Sequence, residues 1–325
     1  MGHRLRWYLP DVLFEVTIRT LGGAFWLRPD PLCRAIILGV FGRALQLYDG
    51  IRLHGFDAQS NHLHYLLSAT APEQLPLFLD YVHGNIARQL NDLCGRTGVF
   101  WSRRGSVIAV VDDDAQVERL RYLLSQGPKS NLVASPKDWP GACSTPALLG
   151  DMTIPAQYTS LDARRRNARR PNPRDAAELA QDVAIVLAPL PVWAHLAHDQ
   201  LRAKHAALVA AVEDEHRGAA VLGVDRLVAE DPDHRPVALV RSPAPRCHAV
   251  LARIRQRFLE AYDAFADAYK AASLRLRQHK DATRLHIQQQ YPLGSLVRPR
   301  WYIPAPADFV HPWRHGVDDA DLALA

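Results

Sequence analysis

A chain of 325 residues, 48% hydrophobic and 22% charged, has the usage of a globular protein rather than a disordered one. It is long enough for two domains at about 100–200 residues each. No apolar run approaches the ~18–20 residues that cross a bilayer, which excludes an integral membrane protein, and a net charge of +5 permits a polyanionic partner without requiring one.

In chain order, Val12 to Thr20 reads as a strand closed by the Gly22-Gly23 turn. Asp30-Pro31 supplies an N-cap and a first-turn proline for a helix to about Tyr48. Asp49-Gly50 breaks it, and Ile51 to Ala58 is expected as a second strand. The polar link Gln59-Ser60-Asn61 then joins it in a hairpin to a third strand from His62 to about Ser68. Pro72-Glu73 opens a second helix, whose Leu75, Leu79, Val82, Ile86, Leu90 and Leu93 recur at steps of three and four and make one buried stripe. Val107 to Val111 is a fourth strand, and Asp112-Asp113-Asp114 places negative charge at the start of a third helix to Gln126. This order predicts an α+β fold, a ferredoxin-like βαββαβ domain over residues 1–150 with an extra C-terminal helix.

The texture then changes. Residues 151–178 contain six arginines (Arg164, Arg165, Arg166, Arg169, Arg170, Arg174) with Pro171 and Pro173, and are expected as a basic Arg/Pro-rich linker, a solvated connector or a phosphate-binding strap. Residues 179–290 read as a mostly α-helical accessory domain. Its long helix at about 247–279 carries Ile254, Phe258, Tyr262, Phe265, Tyr269, Ala272 and Leu276 as an apolar seam. Residues 291–325 form a Pro-rich tail.

Cys33, Cys94, Cys143 and Cys247 are scattered without a C-x-x-C pair, which fits neither a zinc site nor a disulfide framework and points to a reducing, cytoplasmic setting. The first residues hold no apolar stretch, so no secretory signal is expected.

Three features carry chemistry. In His62-Leu63-His64 the alternation of a strand points both imidazoles to one face, suited to sharing a metal ion. With 15 histidines in the chain, such a pair also arises readily by chance. Tyr122 and Gln126 lie four apart, nearly opposite the helix stripe Val117, Leu120, Leu123, Leu124. A half-exposed snorkelling tyrosine is the bland account, and a nucleophilic phenol beside a metal-ligating amide is the sharp one. Phe100-Trp101-Ser102-Arg103-Arg104 interleaves aromatic and basic groups, either to stack a base and grip phosphates or as a core plug with solvated arginines. His195-x-x-His198-Asp199 lacks the glutamate of a zincin helix, so a metal-dependent hydrolase there is a weaker alternative.

Taken together, Asn61, His62, His64, Trp101, Arg103, Tyr122 and Gln126 resemble, in order and spacing, the single-tyrosine transposases of the His-hydrophobic-His superfamily, most closely the REP-associated tyrosine transposases. The likeness spans roughly residues 8–148 and includes Pro136-Lys137-Asp138-Trp139-Pro140. It departs from the family where Gln126-Gly127 stands in place of Asn-Pro. The resemblance implies metal-dependent cleavage and transfer of single-stranded DNA at hairpin-flanked sites through a 5′-phosphotyrosine on Tyr122. Mg²⁺ or Mn²⁺ would be held by His62, His64 and Gln126. DNA contacts are expected at Asn61, Trp101, Arg103, Arg104, Arg121, Arg164, Arg165 and Arg166. The implied partners are single-stranded or hairpin DNA such as REP-like palindromes, with no membrane, and the implied state is a monomer or homodimer associated with the nucleoid. The alternative is a non-catalytic DNA- or RNA-binding protein that keeps the fold.

Overall fold

The computed structural model describes residues 4–236, 244–278, 291–297 and 301–303, with 311 and 313. The N-terminal region runs β1 (Leu13–Arg19), α1 (Pro31–Leu47), β2 (Ile51–Gln59), β3 (His62–Ala69), α2 (Gln74–Leu93), β4 (Ser106–Val110) and α3 (Asp113–Leu124). After it come α4 (Gln126–Lys129), α5 (Thr145–Leu149), β5 (Thr153–Tyr158), α6 (Leu161–Ala168), α7 (Ala176–Leu179), β6 (Gln181–Val186), α8 (His198–Glu215), α9 (Val224–Ala229), β7 (Cys247–His248) and α10 (Ala252–Gln278).

The first four strands pair antiparallel in the order β2-β3-β1-β4, so the region has the expected β-α-β-β-α-β strand order, and a largely helical C-terminal region follows it. Local chemistry sets the helix starts. The Asp30 side chain accepts from the Leu32 and Cys33 amides with Pro31 at the first position, and Asp112 accepts from the Ala115 amide with Asp113 and Asp114 in the first turn.

Alternation along the strands divides the sheet into two unlike faces. On one, Phe56 and Tyr65 pack on Phe41 of α1 and Tyr65 reaches His83 of α2. On the other lie Asp57, Gln59, His62 and His64, paired across the β2–β3 hairpin as Asp57 with His64 and Gln59 with His62. Thr17 and Arg19 of β1 continue that row beside His64 and His62, and α3 crosses this face with Leu120, Leu123 and Leu124 buried beneath it.

Two features differ from expectation. Residues 151–178, read as a linker, hold β5, α6 and α7, and β5 pairs antiparallel with β6 from Thr153 opposite Val186 to Tyr158 opposite Gln181. This hairpin lies against α1 at unusually short range. A Cβ on Gly39 would stand 2.2 Å from the Gln157 carbonyl oxygen, and one on Gly42 would stand 2.6 Å from Val183 Cγ2. The second difference is β7, where Cys247–His248 adds a fifth, parallel strand beside β4. The start of the expected long helix is therefore sheet, and the helix proper begins at Ala252.

The aromatic seam of α10 buries Phe258, Tyr262 and Phe265, with Trp7 stacked on Phe265 at 5.0 Å between centroids and the Tyr262 hydroxyl donating to the Leu5 carbonyl. The end of the helical stretch and most of the Pro-rich tail lie outside the described residues. Among the described residues, no helix is long and apolar enough to cross a membrane.

Candidate functional site

The site lies where the second sheet face meets the end of α3. The two-residue turn Ser60-Asn61 fixes the hairpin so that His62 opens β3, and period two places His64 on the same side. The Asn61 side chain turns back to its neighbour, with His62 Nδ1 2.8 Å from Asn61 Oδ1. An amide oxygen only accepts, so Nδ1 carries the proton and Nε2 keeps its lone pair. Burial, with the charges of His64 and Arg19 adding to it, pushes the His62 imidazole down to about 3, so the ring is neutral.

Gln126 opens α4, with a single residue between it and the end of α3. Its amide nitrogen donates to the Tyr122 carbonyl at 3.0 Å, which turns its Oε1 toward the sheet, 3.3 Å from His62 Nε2. With the proton on Nδ1, two lone-pair atoms face each other in a part-buried setting, an arrangement that a cation satisfies.

Tyr122 is half-buried above the same face. Its ring meets His64 edge-on at 5.6 Å between centroids. Arg119 and Lys129 flank it, each with its cationic centre 4.7 Å from the ring centroid. The phenol sits off its helix's apolar stripe, as its position in the sequence requires.

Behind His64 lies a residue that the sequence reading did not single out. Glu15, 5% exposed in the middle of β1, accepts from His64 Nε2 at 2.9 Å and from His248 Nε2 at 2.5 Å, with Arg119 at 3.7 Å. Burial raises the Glu15 carboxyl, but the hydrogen bonds from His248 and His64 outweigh it and hold it well below the usual carboxylate range. The bond to Glu15 occupies Nε2 of His64, so Nδ1 is the ring nitrogen left for another partner. Asp57, opposite His64, is pushed up to about 7 by burial. Its Oδ2 accepts from Gln59 at 2.8 Å, and its Oδ1 is buried without a partner.

The donor set fits a divalent cation in part. His62 and Gln126 converge as a nitrogen and an oxygen ligand, whereas His64 gives its Nε2 to Glu15. Among the described residues, no group of three or more His, Cys, Asp or Glu side chains is arranged to hold a metal ion. His195 and His198 are exposed.

The residues expected to contact DNA are spread more widely. Trp101 donates its indole N–H to the His83 carbonyl at 2.9 Å and packs edge-on against Phe100, as a core plug does. Arg103 is exposed, and Arg104 donates to the Arg4 carbonyl. Arg121 pairs with Glu215 of α8 at 2.7 Å. Arg164 and Arg165 turn toward Asp92 of α2, at 3.8 and 2.9 Å, while Arg166 is exposed.

Comparison with known proteins finds no matching family model and no matching curated protein. Two solved structures show a partial likeness. One is a REP-associated tyrosine transposase bound to a REP hairpin, with a TM-score of 0.36 and 14% identity over 43% of this chain and 81% of that one. The other is a candidate transposase from Deinococcus radiodurans R1, with a TM-score of 0.28 and 17% identity over 38% of this chain and 98% of that one.

Proposed function

We propose that this chain is a metal-dependent DNA strand transferase that cleaves single-stranded DNA beside a hairpin through a tyrosine-linked intermediate. The observation that carries the reading is the facing pair His62 Nε2 and Gln126 Oε1, 3.3 Å apart, beside a half-buried phenol that a core would not need.

His62 through Nε2, Gln126 through Oε1, and His64 would hold Mg²⁺ or Mn²⁺. When bound, such a cation neutralises charge building on the oxygens of the scissile phosphate. The protein's own groups do the rest. Asn61 and the Tyr122 carbonyl orient the two facing ligands, by the bonds to His62 Nδ1 and from Gln126 Nε2. Glu15, gripped by His248 and Arg119, fixes the His64 ring.

The Tyr122 hydroxyl oxygen forms the new bond to phosphorus and gives up its proton to solvent. The 3′ oxygen of the preceding nucleotide leaves with the bonding pair and takes a proton, giving a 5′-phosphotyrosine and a free 3′-hydroxyl. One phosphoester replaces another, so the reverse attack rejoins strands without an external energy source. Arg119 and Lys129, beside the ring, place positive charge where the phosphate must approach.

The test is incubation with short hairpin oligonucleotides and Mg²⁺, followed by denaturing electrophoresis. A denaturation-resistant protein–DNA band is expected from the native chain and none from Tyr122→Phe, which should still bind the hairpin. Hairpin binding with no covalent band from either protein would favour the non-catalytic alternative.

A further inference from the structure

The loop after β1 carries a second arrangement that the strand-transfer chemistry does not use. Arg96, just past α2, lays its guanidinium over the Trp26 ring at 3.4 Å, and its Nε is buried without a partner. Both groups turn their donors to one oxygen. Asp233 Oδ1 accepts from the Trp26 indole N–H at 2.9 Å and from Arg96 Nη1 at 2.8 Å. The next residue, His234, stacks on Phe25 with centroids 4.9 Å apart and planes 27° from parallel. A cavity of about 270 Å³ opens beside them, lined in part by Arg28 and Arg96. Asp30 also lines it, but that carboxylate is engaged by the amides of Leu32 and Cys33.

The contact is chemically unusual for packing. Trp26 is 2% exposed and its N–H requires an acceptor. The acceptor comes from a side chain that is 66% exposed, on a segment whose Asp233, His234 and Arg235 all face solvent. The carboxylate side of this contact is open to solvent, so an incoming anion can displace it. An anion on an arginine and an indole N–H, next to a flat ring on a phenylalanine, is the recognition pattern of a nucleotide: phosphate on the first pair, base on the second. The loop's position suits DNA leaving the candidate site. The Thr20 amide donates to the Asn61 carbonyl, and the Leu27 amide donates to the Ser60 carbonyl, so the loop is bonded to the turn that presents His62.

We propose that Phe25, Trp26 and Arg96 form a subsite for one nucleotide of single-stranded DNA, and that Asp233 and His234 close it as stand-ins for the phosphate and the base. The strap leaves when DNA enters, so it weakens binding by the free protein. The proposal rests on the single-strand reading of the substrate. Its readout is binding alone, so it is answered separately from cleavage.

The experiment measures the anisotropy of a short fluorescein-labelled single-stranded oligonucleotide of mixed sequence, using the full chain carrying Tyr122→Phe to prevent covalent capture. Adding Asp233→Asn and His234→Ala should tighten binding about tenfold, the scale of one stacked base. Adding Phe25→Ala and Arg96→Ala to that protein should abolish the gain. Asp225→Asn, an exposed aspartate on α9, controls for the loss of one negative charge. Unchanged or weaker binding by the strap variant, or a gain no larger than that of Asp225→Asn, would overturn the proposal. So would a gain that survives loss of Phe25 and Arg96.

Discussion

His54 joins the N-terminal sheet to the chain that follows β6. Its Nδ1 lies 2.8 Å from the Pro189 carbonyl oxygen and 3.2 Å from that of Ala188, and its Nε2 lies 2.9 Å from Ser68 Oγ. Burial pushes the imidazole down to about 4, against the opposing pull of the two backbone carbonyls. In the unfolded chain it returns to about 6.5, so as pH falls the unfolded state takes up the proton first. The linked stability is fully present above pH 6.5 and is lost as pH falls toward 4. The two values give a loss of about 2 kcal/mol by pH 5 and about 3 kcal/mol below pH 4. Urea unfolding of the native chain and of His54→Gln at pH 7 and pH 5 isolates this contribution. His83, pushed down to about 3 by burial, acts equally on both proteins and cancels. The native chain should lose about 2 kcal/mol more than the variant between the two pH values. Equal losses would mean that His54 is not buried against this segment.

Glu15→Gln removes the charge that two imidazoles share. With charge-assisted bonds at about 1.5–3 kcal/mol and neutral ones at about 0.5–1.5, the variant should lose about 2–3 kcal/mol by denaturant titration. Arg121→Ala, which breaks only an exposed pair, should stay within about 0.5 kcal/mol of the native chain. Gly39→Ala drives a Cβ toward the Gln157 carbonyl oxygen and should cost about 1–3 kcal/mol despite the better helix propensity of alanine; no loss would show that α1 does not sit so close to the hairpin. Hairpin DNA binding should weaken log-linearly with salt, and a flat response would count against phosphate contacts. Excess EDTA should abolish cleavage and spare binding, and unchanged cleavage would remove the cation from the chemistry.

Period and punctuation make the N-terminal region legible in the sequence. Asp30-Pro31 and Asp112 start helices where capping requires, and alternation in His62-Leu63-His64 forces both imidazoles onto the face that α3 crosses. Tyr122 stands out because it misses its helix's stripe. Glu15 carried a local signal, a lone carboxylate inside Leu13-Phe14-Glu15-Val16, but its partners are 49 and 233 residues away, beyond any pattern argument. His248 lies on a two-residue strand, too short to show a period. The β5–β6 hairpin was obscured by the arginines between its strands. Burial at Val183 and Ile185 follows an alternation already present in Asp182-Val183-Ala184-Ile185, while Pro155 in β5 argued against a strand. Arg164 and Arg165 read as free cations, because nothing in the sequence places Asp92 beside them.

The most direct measurement is to digest the covalent product formed with a hairpin oligonucleotide in Mg²⁺ or Mn²⁺ and to locate the attached nucleotide by mass spectrometry. A 5′-phosphate on the Tyr122 oxygen is expected, with a free 3′-hydroxyl on the released strand. Attachment at any other side chain, or a product that forms equally well on Tyr122→Phe, would contradict it.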